Sequence, residues 1–149
     1  MVASADRIVT AERTVHASAS SLFVLLADPA RHVEWGRRDN LASAAEGQTI
    51  TAAGDTFEVN LVSGVTTVNT VVEFVQDRRI AWVPAPKGED PSGQLWRWEL
   101  TPSSAGTRVR HTYDWTHLTG ERRLIRALAL TAEDLRRSVD GVALAALDS

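Results

Sequence analysis

The clearest hydrophobic pattern in the sequence lies near its C-terminus. Apolar side chains recur there with the spacing of one helical face, and these are Leu135, Val139, Val142, Ala143, Ala146 and Leu147. Thr131 and Asp134 resemble a capping box, and Leu130 and Leu135 form a hydrophobic staple across it. The pattern predicts a long amphipathic helix from Thr131. Gly141 falls on its outward face, where the pattern gives no packing reason for glycine.

Residues 40–115 instead alternate between polar and apolar side chains in short stretches, separated by turn signals such as Ser63-Gly64. The alternation predicts six strands, at residues 41–46, 56–62, 66–75, 80–83, 94–101 and 107–115. β-Branched side chains predict a further strand over residues 7–17. Turns this short connect antiparallel strands, because parallel strands need long crossovers.

Two short helices are predicted between the first strand and the other six. Ser18 is a typical N-cap, and the helix after it runs to Asp28-Pro29. Pro29 can open a second short helix that reaches Trp35. The order of elements predicts one α+β domain over residues 1–149, in which an antiparallel sheet of about seven strands curls around the C-terminal helix.

Composition narrows the class of protein. Lys and Arg number 16 against 19 Asp and Glu, a net charge of −3, which gives no basic footprint for nucleic acid. Cysteine is absent, which excludes disulfides and thiolate metal sites. The longest apolar runs have six residues, so membrane insertion is not expected. The N-terminal residues lack a signal-peptide pattern, and we expect a cytoplasmic monomer or homodimer.

Alternation along the strands also separates a charged face from an aromatic face. Facing the helix we expect Phe57, Val59, Leu61, Trp96, Trp98, Leu100, Val109, His111, Tyr113 and Trp115. In the strand over residues 66–75, the pattern favours Val68, Val72 and Phe74 as inward. Ile80 and Trp82 share a face that the pattern does not assign. Large rings with N–H, O–H and imidazole groups on one concave surface are typical of a small-molecule pocket, and the alternative is that they fill a core.

Several motifs resemble one known superfamily. They are Val15-His16-Ala17-Ser18 through Leu25-Leu26-Ala27-Asp28-Pro29 with Trp35, Val72-Glu73-Phe74 with Arg79-Ile80-Ala81-Trp82, Trp98-Glu99-Leu100-Thr101-Pro102, Gly106-Thr107-Arg108-Val109, and Thr112-Tyr113-Asp114-Trp115-Thr116. Their order is similar to that of START-like (SRPBCC) domains, which include polyketide cyclases/dehydrases, lipid-transport proteins and the birch-pollen-allergen fold. The resemblance covers nearly the whole chain. It implies a helix-grip fold with an apolar cavity between sheet and C-terminal helix, but it implies no single function.

The leading hypothesis is a protein that binds a small apolar ligand, such as an aromatic or polycyclic molecule, in that cavity. The predicted lining is Trp35, Phe57, Val59, Val72, Phe74, Trp82, Trp96, Trp98, His111, Tyr113, Trp115, Leu124 and Leu128. The segments 84–93 and 116–130 are expected to border the cavity mouth. A third hypothesis, an interaction module that uses an outer surface, is disfavoured because the outward faces of the last two strands are charged.

The alternative is an enzyme, a polyketide cyclase or dehydratase that uses His111 and Tyr113. These residues share the inward face, and a histidine beside a tyrosine donor can enolise a ketone or stabilise an oxyanion. The simpler interpretation is a structural hydrogen bond from His111 to Tyr113 or to water. His32 is expected to be solvated, and Arg37-Arg38-Asp39 to form a solvated turn or a gate for an anionic ligand. No metal or cofactor motif is present, and neither group is expected.

Overall fold

A seven-stranded antiparallel sheet forms the frame of the molecule, in the order β1-β7-β6-β5-β4-β3-β2. The computed structural model describes residues 4–36 and 40–147. Its strands are β1 (Ile8–Val15), β2 (Leu41–Ser43), β3 (Thr56–Leu61), β4 (Thr66–Val75), β5 (Arg79–Pro86), β6 (Leu95–Ser103) and β7 (Gly106–Asp114). Its helices are α1 (Ala19–Ala27), α2 (Val33–Gly36), α3 (Glu121–Ala129) and α4 (Ala132–Leu147), with 3₁₀ turns at Ser4–Arg7 and Pro29–Arg31. The predicted α+β helix-grip fold is confirmed.

The two short helices after β1 are capped by side chains. Ser18 Oγ accepts a hydrogen bond from the Ser21 backbone N–H at 3.1 Å, which starts α1 as predicted. Asp28 ends α1, and its carboxylate accepts from the Ala30 N–H at 3.2 Å to start the 3₁₀ turn. Four apolar side chains of α1 are buried, which fixes this corner against the sheet.

Helix α4 begins at the predicted capping box. Thr131 Oγ1 accepts from the Asp134 N–H at 3.3 Å, and the Asp134 carboxylate accepts from the Thr131 N–H at 2.9 Å. Leu135, Val139 and Val142 are completely buried. The helix packs against β1, β7, α1 and α2, which places it over one side of the curved sheet rather than over its centre.

A β-bulge in β4 changes which side chains face inward. The pairing between β4 and β5 shifts register between Val71 and Glu73, so that one extra residue enters β4. Val71 is consequently buried, whereas Val72 is 42% exposed on the outer face. The predicted inward direction of Val72 is therefore wrong, although Phe74, after the bulge, points inward and packs against Phe23 with ring centroids 5.5 Å apart.

Strand β5 extends beyond the predicted residues 80–83 and includes two prolines. Up to Trp82 it pairs with both neighbours, but Pro84 and Pro86 pair only with β4. A proline has no N–H to donate, so it fits where one edge of a strand is free. The sheet thus opens between the end of β5 and β6.

Gly141 has a packing role that the helical pattern did not reveal. An added Cβ would lie 2.9 Å from the carbonyl oxygen of Trp35 and 3.2 Å from its Cα. The absence of a side chain therefore allows α2 to approach α4 closely. This contact sets the position of Trp35 relative to the sheet.

Replacement of Gly141 by alanine tests this contact, because the contact determines whether the substitution raises or lowers the free energy of unfolding. At an exposed helical position the change normally stabilises a protein by roughly 1 kcal/mol. Here we expect a loss of about 1–2 kcal/mol in the free energy of unfolding, because the backbone of α2 must move. Urea unfolding measures the difference. A Gly141→Ala variant as stable as the wild type, or more stable, would contradict the contact.

Candidate functional site

A cavity of about 1000 Å³ lies on the concave face of the sheet, and it contains most of the predicted aromatic residues. Its walls come from β2 to β7, from α2 and α3, and from the turns between them. Eight residues of the predicted lining line it, namely Trp35, Phe57, Val59, Trp82, Trp96, Trp98, His111 and Tyr113. The sequence pattern did not say whether Ile80 and Trp82 of β5 face inward. In the structure both are buried, and Trp82 lines the cavity.

The other five residues of the predicted lining lie elsewhere. Val72 is on the outer face, and Phe74 packs below α1. Trp115 belongs to a second buried cluster with Leu118, Ala127 and Leu135, against which Leu124 packs. Leu128 is 57% exposed. These five placements correct the prediction. The bulge in β4 accounts for Val72, and the second cluster, built by the chain beyond β7, accounts for Trp115 and Leu124.

The cavity also lies in a different place from the one predicted. None of the residues of α4 lines it. The space between α4 and the sheet is filled by the buried side chains of that helix, among them Val139 and Val142. The cavity instead occupies the part of the concave face that α4 leaves uncovered, below α2 and α3.

His32 is at the centre of an aromatic cluster in the cavity wall. Its ring stacks on Trp82 with centroids 5.4 Å apart and contacts Trp35 and Phe57 at 4.9 and 5.4 Å. Its Nε2 donates a hydrogen bond to the Leu26 carbonyl at 2.7 Å. Burial lowers the pKa of His32 to about 4, so the ring is neutral at pH 7.

The prediction that His32 is solvated is wrong. The sequence carried a usable signal, because His32 precedes Trp35 by three residues and therefore shares its helical face. Trp35 itself is fixed by a hydrogen bond from its Nε1 to the Leu25 carbonyl at 3.0 Å. Both rings are thus attached to the last turn of α1.

His111 is enclosed by two indole rings. Its ring stacks on Trp98 at 3.7 Å and on Trp96 at 5.6 Å between centroids. Its Nδ1 lies 3.0 Å from the carbonyl oxygen of Arg97, and a carbonyl can only accept, so Nδ1 carries the proton. Burial lowers the pKa of His111 to about 3, which leaves a neutral ring whose Nε2 is an acceptor.

Tyr113 has a partner of its own. Its hydroxyl donates to Gln94 Oε1 at 2.6 Å, and desolvation raises its pKa to about 12. The ring of Trp96 contacts the rings of both Tyr113 and His111, at 4.3 and 5.6 Å. His111 and Tyr113 are therefore brought together in one wall, but each is hydrogen-bonded to a different group rather than to the other.

Asn69 is a polar lining residue that sequence reasoning missed. It is 4% exposed and lines the cavity, and its amide makes no hydrogen bond to any residue of ranges 4–36 and 40–147. The amide is therefore available to a ligand or a water in the cavity. The alternation along β4 did not indicate Asn69, because the bulge changes which residues face inward. Before the bulge Asn69 and Val71 are the buried residues, and not Val72 as predicted.

Both segments that were expected to border the cavity mouth contribute to the wall. Pro84, Pro86 and Ser92 come from the first, and Arg123 and Arg126 of α3 from the second. The Thr119 N–H donates to the Ser92 carbonyl at 3.2 Å and ties the segments together. Gly93, with φ +106°, is required at this crossing, because a Cβ would lie 2.0 Å from the His117 carbonyl oxygen.

Comparison with solved structures finds proteins of similar fold. No protein-family model matches the sequence, and no curated protein matches it. Protein MLL2253 from Mesorhizobium loti is similar in structure, with a TM-score of 0.69 and 19% identity over 95% of this chain and 97% of that one. The Aha1 dimer from Colwellia psychrerythraea has a TM-score of 0.60 and 17% identity, with 87% of each chain covered.

A third similar structure, DynU16, is a protein of the dynemicin biosynthetic locus. Its TM-score is 0.67 at 16% identity, and the match covers 96% of this chain but 48% of DynU16. At identities this low, the likenesses show a shared fold. They support the helix-grip architecture that the sheet and α4 display.

The described residues offer neither a metal site nor a membrane-spanning helix. No three histidine, aspartate or glutamate side chains within them are close enough to hold a metal ion. None of their helices combines the length and apolar character needed to cross a membrane. The predicted charged turn Arg37-Arg38-Asp39 lies outside the described residues.

The two neutral histidines predict an acid-sensitive fold. Each has a folded-state pKa, about 4 for His32 and about 3 for His111, below the unfolded value near 6.5. The unfolded state therefore binds more protons below pH 6.5, and stability falls as pH decreases from 6.5 toward the folded-state values. Between pH 7 and pH 5 we expect a loss of about 2 kcal/mol per histidine.

Urea unfolding at the two pH values measures this loss. Glu73 does not account for a loss between pH 7 and pH 5. The hydrogen bond to Arg97 holds the pKa of its carboxyl below 4.5, so the stability that this carboxylate confers is lost only at pH values below that range. His32→Gln should remove about half of the pH dependence between pH 7 and pH 5. A free energy of unfolding that is constant over this range would show that the two rings are not buried as described.

Proposed function

We propose that this chain is a single START-like domain over residues 1–149 that encloses a small apolar ligand, aromatic or polycyclic, in the cavity. The observation that carries the proposal is a space of about 1000 Å³ walled by aromatic rings, among which the buried polar groups are neutral. Cavities that bind organic molecules have volumes of roughly 300–1000 Å³ and few fixed polar groups. Space and wall chemistry thus both favour a ring-containing ligand.

The wall is also organised before any ligand arrives. Hydrogen bonds to main-chain carbonyls hold Trp35, His32 and His111, and a side-chain hydrogen bond holds Tyr113. A wall already in place saves the entropy of ordering these rings on binding. The amide of Asn69 and the acceptor nitrogens of the two imidazoles remain to orient polar groups of the ligand.

The cyclase hypothesis receives less support from the same geometry. A general acid or base works best with a pKa near the working pH, whereas burial lowers the pKa of His111 to about 3. The Tyr113 hydroxyl already donates to Gln94. DynU16 comes from a biosynthetic locus, which supplies a reason to include turnover in the test.

Binding of phenylnaphthylamine, an uncharged fluorescent probe, tests the proposal. We expect saturable enhancement of probe fluorescence by the wild-type protein. Trp96→Ala should raise the Kd by about fivefold or more, the equivalent of about 1 kcal/mol, because a ring in the wall is lost. Trp115→Phe is the matched control, because Trp115 is buried outside the cavity, and its Kd should be unchanged.

His111→Gln separates binding from catalysis. For a binding protein the substitution changes the Kd by a few-fold and there is no turnover to lose. For a cyclase it would reduce the rate with a polyketone substrate by roughly 10²–10⁴-fold while the substrate still binds. Absence of saturable probe binding by the folded wild-type protein would refute the proposed function.

A further inference from the structure

The formal charges of the described cavity wall all have one sign. Arg123 and Arg126 line the cavity, and no aspartate or glutamate of the described residues does so. The two histidines of the wall are neutral at pH 7 for the reasons given above. The cavity therefore combines an uncharged aromatic interior with two positive charges on α3.

The two arginines are positioned to act together. They are three positions apart on α3 and so lie on the same face of the helix. Both are exposed to solvent as well as lining the cavity, which places them at its mouth. Glu121, the one acidic residue of the helix, does not line the cavity, although it shares a neighbouring recess with both arginines.

Neither arginine is neutralised by a close partner. Arg123 has a single long ion pair, 3.8 Å from its Nη2 to Glu89 Oε1, and both side chains are largely exposed. Arg126 forms no ion pair or hydrogen bond with any residue that the structure describes. Other surface arginines are paired closely, as Arg97 is with Glu73 at 2.6 Å and Arg13 with Asp140 at 2.7 Å.

We propose that the ligand is an amphipathic organic acid, whose ring system fills the aromatic interior and whose acidic group is bound at the mouth by Arg123 and Arg126. This inference rests on the proposed function and specifies its ligand class. A guanidinium group suits a carboxylate, sulfonate or phosphate, because its N–H groups form paired, charge-assisted hydrogen bonds. An anionic group deeper in the cavity would lose its hydration among rings without a cation to replace it.

Two fluorescent probes that differ by one charge test the inference. They are anilinonaphthalene sulfonate and its uncharged parent, phenylnaphthylamine. The measured quantity is the ratio of their two Kd values. A change in the aromatic interior alters both Kd values alike and therefore leaves this ratio unchanged. In an Arg123→Gln/Arg126→Gln variant this ratio should shift by about fivefold to tenfold against the sulfonate, the scale of two exposed charge-assisted contacts. Added salt should weaken sulfonate binding in the wild type only.

Arg122→Gln is the matched control. Arg122 lies on the same helix and its replacement removes one positive charge, as each of the two substitutions in the double variant does, but Arg122 lines the neighbouring recess and not the cavity. We expect the ratio of Kd values to stay at the wild-type value. An equal shift in this control, or no shift in the double variant, would overturn the inference and leave the proposed cavity intact. Failure of both probes to bind the wild type would instead refute the proposed function, and the inference with it.

Discussion

The packing of α4 against β1, β7 and the backbone of Trp35 determines which part of the concave face is a packed core and which part is a cavity. The apolar stripe of α4 fills one side of the concave sheet. On the other side lies the cavity, to whose wall the short helices α2 and α3 contribute Trp35, Gly36, Arg123 and Arg126. Helix α2 in turn contacts α4 at Gly141.

The charged side chains are also distributed unequally between the two faces of the sheet. Ion pairs such as Glu73–Arg97 and Glu12–Arg108 lie on the convex face of the sheet. The concave face holds two imidazoles that burial keeps neutral, and positive charge enters the described wall only on α3. The interior therefore favours apolar rings, whereas the mouth favours an anion. One molecule with both properties is the simplest occupant.

The sequence predicted those parts of the fold that depend on regular periodicity. The alternation in β3, β6 and β7 correctly assigned the inward rings, and the 3.6-residue period correctly assigned Leu135, Val139, Val142 and Ala143 of α4 as buried. The same period was wrong for Leu147, which is 75% exposed at the end of the helix, and for Gly141, which packs against Trp35. Regular periodicity fails where one residue is added, and the bulge in β4 therefore hid Asn69 and misplaced Val72. The burial of His32 was missed because His32 lies at the end of an element, where polar side chains are usually solvated, although its spacing from Trp35 indicated a shared face.

The position of the cavity could not be predicted in the same way. Alternation says which face of a strand points inward, but it does not say how far along the sheet the covering helix lies. That position depends on long-range contacts, and Gly141 against Trp35 is one of them. Trp115 illustrates the consequence, because it points inward as predicted yet packs into the second cluster rather than the cavity.

The central claim is that the rings enclose a usable space rather than a filled core. Its most direct test is an NMR titration of the five tryptophan indole N–H resonances with phenylnaphthylamine. We expect progressive, saturable shifts for Trp35, Trp82, Trp96 and Trp98, which line the cavity, and none for Trp115, which does not. Shifts of equal size in all five resonances, or none in any, would contradict it.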